Sequence, residues 1–250
     1  MAAPKNDFIY GRHPVLEALQ SDVSIDKVLL QRDTLGELEK TLRHLTRARN
    51  IPLQMVPRDR LNRIVRGNHQ GVIAFTAPIT FQRLMDILPL VYERAGMPLM
   101  VLLDGVTDVR NFGAIARAAE LCGAHALVMG RNNTPMVNAE AVKASAGALH
   151  RIPVCRESSL PVAVEWLQQS GVRVLASDLS AEKPVFSMDL AGPIAFLLGA
   201  EGRGVSPSLI KMADEAFLIP QLGTSDSFNV SVAAGIMLYE SLRQRWPKAK

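Results

Sequence analysis

Cysteine is almost missing from this chain: Cys122 and Cys155 are the only two in 250 residues. They form neither a disulfide framework nor a metal-spaced pair, which excludes disulfide-stapled scaffolds and zinc-ribbon domains. Cys122, set among alanines, reads as a small core residue. No His/Cys/carboxylate constellation suggests a metal. Apolar runs are short as well, and none reaches the ~20 residues of a membrane span. Met1–Tyr10 has no apolar core of signal-peptide type, so a reducing cytoplasm is the expected compartment. There is no internal repeat and no low-complexity segment. A G-x-x-x-x-G-K-[ST] phosphate loop is absent, and so is the G-x-G-x-x-G dinucleotide fingerprint.

What is present describes a globular protein. Hydrophobic residues make up 48% of the chain, and mean hydropathy is +0.12. A chain of this length fits two domains or one large one. The net charge of +4 is unevenly placed: residues 1–76 hold 12 Lys/Arg against 8 Asp/Glu, and residues 77–250 hold 16 against 16. Eight basic residues and a single acid, Asp59, fall between Lys40 and Arg66. Arg43 and Arg47 lie four apart, and Arg60 and Arg63 three apart, each pair on one helical face. Arginine forks onto phosphate better than lysine does. These four are the expected contacts to a nucleic-acid phosphate backbone, with a solvated helix face as the alternative.

Alternating patterns organise the chain into residues 1–77, a linker over 78–96 and residues 97–250. The first part reads as a small α/β unit. Its expected strands are Val28–Leu30, Leu53–Val56 and Val72–Phe75, and its expected helices are Val15–Gln20, Leu35–Arg49 and Arg58–Val65. His13, in a turn before Pro14, and the loop Asn68-His69-Gln70-Gly71 are open to structural or ligand-contact readings. The linker carries an expected helix, Phe81–Ala95, interrupted or kinked by Pro89. In the last part, strands are expected at Leu99–Leu103, Ala126–Met129, Arg151–Val154, Val172–Ala176, Ile194–Leu198 and Ala216–Ile219. Helices are expected at Gly113–Cys122, Ala139–Leu149, Leu160–Gln169, Pro207–Met212 and Val230–Arg245. That alternation implies a parallel sheet with helices on both faces.

Three segments carry chemistry. The first is Asp104-Gly-Val-Thr-Asp-Val-Arg-Asn-Phe-Gly-Ala-Ile-Ala-Arg117. The second, Leu197-Leu-Gly-Ala-Glu-Gly-Arg-Gly204, ends an apolar strand in a glycine turn whose one acid is Glu201. The third runs from Ala216-Phe-Leu-Ile-Pro220 to Ser225-Asp-Ser-Phe-Asn-Val-Ser231. Strand ends and helix starts rich in small and polar residues build crevices at the carboxyl edge of a sheet. Together these segments resemble the signature motifs of the SpoU/TrmH RNA 2′-O-methyltransferases of the SPOUT class. Within them the likeness is greatest to the RlmB-type enzymes, which methylate a guanosine ribose of 23S ribosomal RNA. Phe8–Thr76 likewise resembles that group's RNA-binding domain. Two positions depart: Val109 stands where proline is common, and Phe228 where leucine is usual.

The resemblance implies a C-terminal trefoil knot, which periodicity alone would have rendered as an ordinary doubly wound sheet. It implies S-adenosylmethionine as cofactor, held by Gly199, Gly202, Ile219 and Phe228 with Leu198 and Leu222 as walls. It casts Asn111, Arg117, Glu201, Ser227 and Asn229 as the catalytic set, with Glu201 ordering Arg117 or neighbouring polar groups. Read from sequence alone, Asn111 and Asn229 are also helix N-caps by type, and Arg117 lies off the apolar stripe of its helix. The expected partners are RNA and a second copy of the chain joined through the C-terminal part. Transfer to tRNA, and RNA binding without turnover, remain open beside the ribosomal reading.

Overall fold

The structure is a computed structural model describing residues 8–94 and 96–247. The chain divides into two compact units, with the boundary between Thr80 and Phe81.

In the first unit, strands β1 (Phe8–Tyr10), β2 (Ile25–Gln31), β3 (Leu53–Val56) and β4 (Val72–Thr76) alternate with helices α1 (Arg12–Gln20), α2 (Glu37–Ala48) and α3 (Arg58–Ile64). The sheet order is β1-β4-β2-β3; β2 and β3 are parallel, and β4 is antiparallel to both β1 and β2. Val28, Leu30, Val72 and Ala74 pack with Val15 and Leu19 of α1 and Leu42 of α2. Leu29 and Ile73 point the other way, onto Leu61 of α3. Side chains alternate across a strand, so a sheet covered on both faces needs apolar residues at consecutive positions. Burying each such side chain contributes about 1.5–3 kcal/mol.

Several boundaries differ from expectation here, β2 among them, which runs Ile25–Gln31 and not only Val28–Leu30. β1 was not foreseen, because three residues at a sheet edge carry no readable period. α1 begins at Arg12 and not Val15: Pro14 falls in the first turn, where the missing N–H would have no helical partner anyway. α2 begins only after Gly36, whose φ of 96° is costly for other residues, so Leu35 stays outside it.

The second unit opens with α4 (Leu84–Glu93), which runs on through Pro89. Its Leu84, Ile87, Leu88 and Val91 belong to the same core cluster as Met100, Val128 and Leu197. The stretch expected as a linker therefore contributes a packed helix. Six strands follow: β5 (Leu99–Asp104), β6 (Ala126–Met129), β7 (Val154–Arg156), β8 (Arg173–Ser177), β9 (Ile194–Gly199) and β10 (Glu215–Phe217). All are parallel, in the order β10-β8-β9-β5-β6-β7. One face is covered by α4, α7 (Leu160–Gln169) and α8 (Pro207–Met212). α5 (Val109–Leu121), α6 (Ala139–Ala144) and α9 (Val230–Arg245) form a second group, in which α5 packs against α6 and α9, and α9 against β9.

The differences in this unit have local causes. The helix expected over Ala139–Leu149 stops at Ala144, because Ala146 and Gly147 take positive φ; a 3-10 turn follows at Ala148–His150. β7 starts at Val154 and not Arg151, since Pro153 has no N–H for the ladder. β10 lies one residue earlier than expected and ends at Phe217. Cys122 is not in the core but half-buried at the end of α5. The sheet grows from β5 through β6 to β7 on one side and through β9 to β8 and β10 on the other. Its order reverses between β5 and β9, and at such a switch point a crevice opens beyond the carboxyl ends.

Candidate active site

β9 ends at Gly199, in register with Asp104 at the end of β5. Beyond it the chain doubles back through a bridge between Ala200 and Gly204, aided by positive φ at Gly202 and Gly204. The returning backbone lies so close that a β-carbon on Gly199 would sit 1.8 Å from Gly204 C and 2.0 Å from Val205 N. No other residue fits there. The Ser206 N–H then donates to Asp104 Oδ2 at 2.8 Å, tying the turn to the end of β5.

This turn forms one wall of a cavity of about 470 Å³. Leu198, Gly199, Gly202, Ile219 and Phe228, all expected at a cofactor site, line it together with Glu201 and Ser227. Leu222 does not: it is fully exposed and is no wall of the cavity. Its neighbours Gln221 and Gly223 are exposed as well, so the residue projects from a loop instead of packing. Sequence reasoning missed Ser177 and Asp178 at the end of β8, Ile210 of α8, and Asp226. The first three lie outside the motifs and reach the cavity through strand order or, for Ile210, the packing of α8; Asp226 lies inside one, without a spacing to mark it. Asp178, Glu201 and Asp226 face a single base, Arg203, so the lining favours a ligand with a positive centre. Volume, apolar walls and acid excess together fit S-adenosylmethionine, a cation with extended apolar parts.

Glu201 also belongs to a polar cluster. Asn229 Nδ2 donates to Asn111 Oδ1 at 3.1 Å and to Glu201 Oε1 at 3.5 Å, while Asn111 Nδ2 donates to Glu201 Oε2 at 3.3 Å. Asn229 caps α9 as its type suggests, accepting from Ser231 N at 3.0 Å and Ser231 Oγ at 2.6 Å. Asn111 is no cap. Asp108 holds that position and accepts Asn111 N–H at 2.8 Å, which places Asn111 in the first turn of α5 and frees its amide for the cluster. Arg117 is exposed and has no hydrogen bond or ion pair among the described residues, so Glu201 is ordered by the two asparagines and not by Arg117.

In the first unit, Arg43, Arg47, Arg60 and Arg63 are all exposed, with Arg43 paired to Glu39 at 2.8 Å. Arg49, from the same basic run, serves the fold. Its guanidinium donates to the carbonyls of Ala18, Leu19, Ser21 and Val23, closing the end of α1.

Known proteins with these features agree on a family. Residues 98–239 match the model described as the SpoU rRNA Methylase family, and residues 8–82 that described as RNA 2′-O ribose methyltransferase substrate binding. The 23S rRNA (guanosine-2′-O-)-methyltransferase RlmB of Ralstonia nicotianae is 34% identical, covering 96% of this chain and 97% of its own. An uncharacterized tRNA/rRNA methyltransferase of Mycolicibacterium vanbaalenii is also 34% identical, covering 96% and 77%. The AdoMet-bound rRNA methyltransferase from Sinorhizobium meliloti superposes with a TM-score of 0.60 at 28% identity, over 94% of this chain and 86% of that one. With the methylase model spanning more than half of the residues, and relatives above 30% identity over nearly their full length, the chain belongs to the SpoU rRNA methylase family.

Proposed function

We propose that this protein transfers the methyl group of S-adenosylmethionine to the 2′-oxygen of a guanosine ribose in 23S ribosomal RNA. The observation that carries the reading is the double membership of Glu201, which lines the cavity and anchors the Asn111–Asn229 cluster. The near-full-length relative named for 23S guanosine supports the substrate. When bound, S-adenosylmethionine supplies an electrophilic methyl group. A ribose hydroxyl is far too weakly acidic to ionise at neutral pH, so the protein's contribution is alignment and charge. Arg117 forks onto an RNA phosphate, fixing the ribose. The cluster holds Glu201 rigid at the cavity wall, and Ser227 offers a hydroxyl to ribose or cofactor. Gly199, Ile219 and Phe228 would hold the cofactor, whose methyl group goes to O2′ to leave S-adenosylhomocysteine, and the hydroxyl proton would pass to solvent.

The test is methyl transfer from tritiated S-adenosylmethionine to transcribed 23S RNA and, separately, to bulk tRNA. Label on one 23S guanosine is expected. Label on tRNA alone would reassign the substrate, and cofactor binding without label on either would favour RNA binding without turnover.

The same reading includes a C-terminal trefoil knot and a homodimer. Beside the cavity, and sharing Ile219 and Phe228 with it, lies an apolar hollow bordered by Phe186, Val232 and Tyr239, which are 63%, 49% and 64% exposed. Glu240 is the one charged residue lining it. A second copy related by a two-fold axis would cover this face. A dimeric mass by light scattering at micromolar concentration is expected, and a monomeric mass would count against it.

A further inference from the structure

The first unit contains a polar pocket of about 840 Å³, built by the start of α1, the loop after β2, α3 and the loop before β4. His69, 5% exposed, sets its chemistry. The Gly71 N–H donates to His69 Nδ1 at 3.0 Å, so that nitrogen carries no proton and Nε2 must. Nε2–H then donates at 2.8 Å to Asn62, which therefore turns its oxygen to the histidine and its NH₂ away. Burial, followed by the nearby Arg58 guanidinium, lowers the histidine pKa, in the same sense as the unprotonated Nδ1.

Two further amides are oriented in the same sense. Gln70 Oε1 accepts Arg12 N–H at 2.9 Å, and Asn68 Oδ1 accepts Gln70 N–H at 3.3 Å. Backbone N–H groups only donate, so these oxygens are committed. The NH₂ groups of Asn62, Asn68 and Gln70 and the guanidiniums of Arg12 and Arg58 have no partner among the described residues. Against these donors the lining offers the Asp33 carboxylate, the Thr34 hydroxyl and the Gln31 amide. The pocket is thus prearranged for an acceptor-rich ligand with a few donors of its own, and its size suits a single nucleotide, not a duplex.

We infer that this pocket captures one unpaired nucleotide of the substrate RNA, with Arg12 and Arg58 on its phosphate and the three amides on the carbonyl edge of its base. The inference rests on the RNA-methylation reading above. It is also the mode expected of RNA recognition, in which splayed-out bases are read by their edges.

Asn62→Asp and Asn68→Asp keep the oxygen that each protein donor uses and replace the outward NH₂ by oxygen. Each is expected to weaken binding of transcribed 23S RNA about ten-fold or more and to raise KM for RNA alike. Affinity for S-adenosylmethionine, and kcat at saturating RNA, should stay within about two-fold. Arg58→Gln, at an exposed position, should weaken RNA binding and flatten its salt dependence by about one phosphate contact. Should an aspartate variant fail to fold, Arg58→Gln decides alone. Unchanged RNA affinity in the folded variants, with the natural protein still binding and methylating RNA, overturns the pocket and leaves the methyltransferase reading intact. A natural protein that neither binds nor methylates RNA overturns both.

Discussion

An alanine at position 199 would place its β-carbon about 2 Å from the Gly204–Val205 peptide, far inside any contact distance. Backbone cannot swing aside as a side chain can, so the turn over the cavity must open. Gly199→Ala is expected to abolish cofactor binding by calorimetry and to cost about 2–4 kcal/mol in stability. Arg117 makes the opposite case. Nothing in the fold depends on its guanidinium, so Arg117→Ala should abolish methyl transfer while the melting temperature and the affinity for S-adenosylmethionine stay close to normal. Near-normal turnover would remove its role.

His125 supplies a pH dependence at the same scale. Its Nδ1 accepts Leu99 N–H at 3.2 Å, and burial, then the Arg245 charge, holds its pKa below the ordinary 6.5. The folded protein thus resists a proton that the unfolded chain accepts. This contribution is fully present above the unfolded pKa and is lost as pH falls through the folded one. The difference in melting temperature between the natural protein and His125→Asn should narrow between pH 7.5 and 5.5. A constant difference would show that the histidine is not held neutral.

Among the elements, those with a strong period or a punctuating residue were legible in sequence. β3, β6, α7, α8 and α9 lie at their expected bounds, because each is flanked by proline, glycine or a capping residue, or carries a clear apolar stripe. Breaks set by backbone conformation were hidden, as at Ala146–Gly147, where a continuous run of small residues reads as helix. The site divides in the same way. Motif residues on strand ends line the cavity, whereas Ser177 and Asp178 reach it through strand order and Ile210 through the packing of α8, which local pattern does not encode. The basic run was legible only as charge: Arg49 lies in it as an α1 clasp, indistinguishable in sequence from its neighbours. Replacing Arg43, Arg47, Arg60 and Arg63 by glutamine should weaken RNA binding and reduce the slope of log affinity against log salt, since fewer counterions are released. Identical slopes would leave these arginines as solubilising residues.

For the whole molecule, the two units divide the charge: the excess of Lys/Arg over Asp/Glu lies wholly in residues 1–76. A chain of residues 81–250 should therefore still bind S-adenosylmethionine but lose most of its RNA affinity. Retention of full RNA affinity would move the substrate contacts to the second unit. The polar cluster has a separate consequence, one of timing. Asn111 and Asn229 stand 118 residues apart, and at ~5–20 residues per second the second is synthesised roughly 6–24 s after the first. Through that interval the nascent chain already carries Arg117, and later Glu201, but lacks the second of the two amides that hold the carboxylate in place. Competence for chemistry thus arrives late in synthesis, so a polypeptide still emerging from the ribosome is not yet able to methylate RNA.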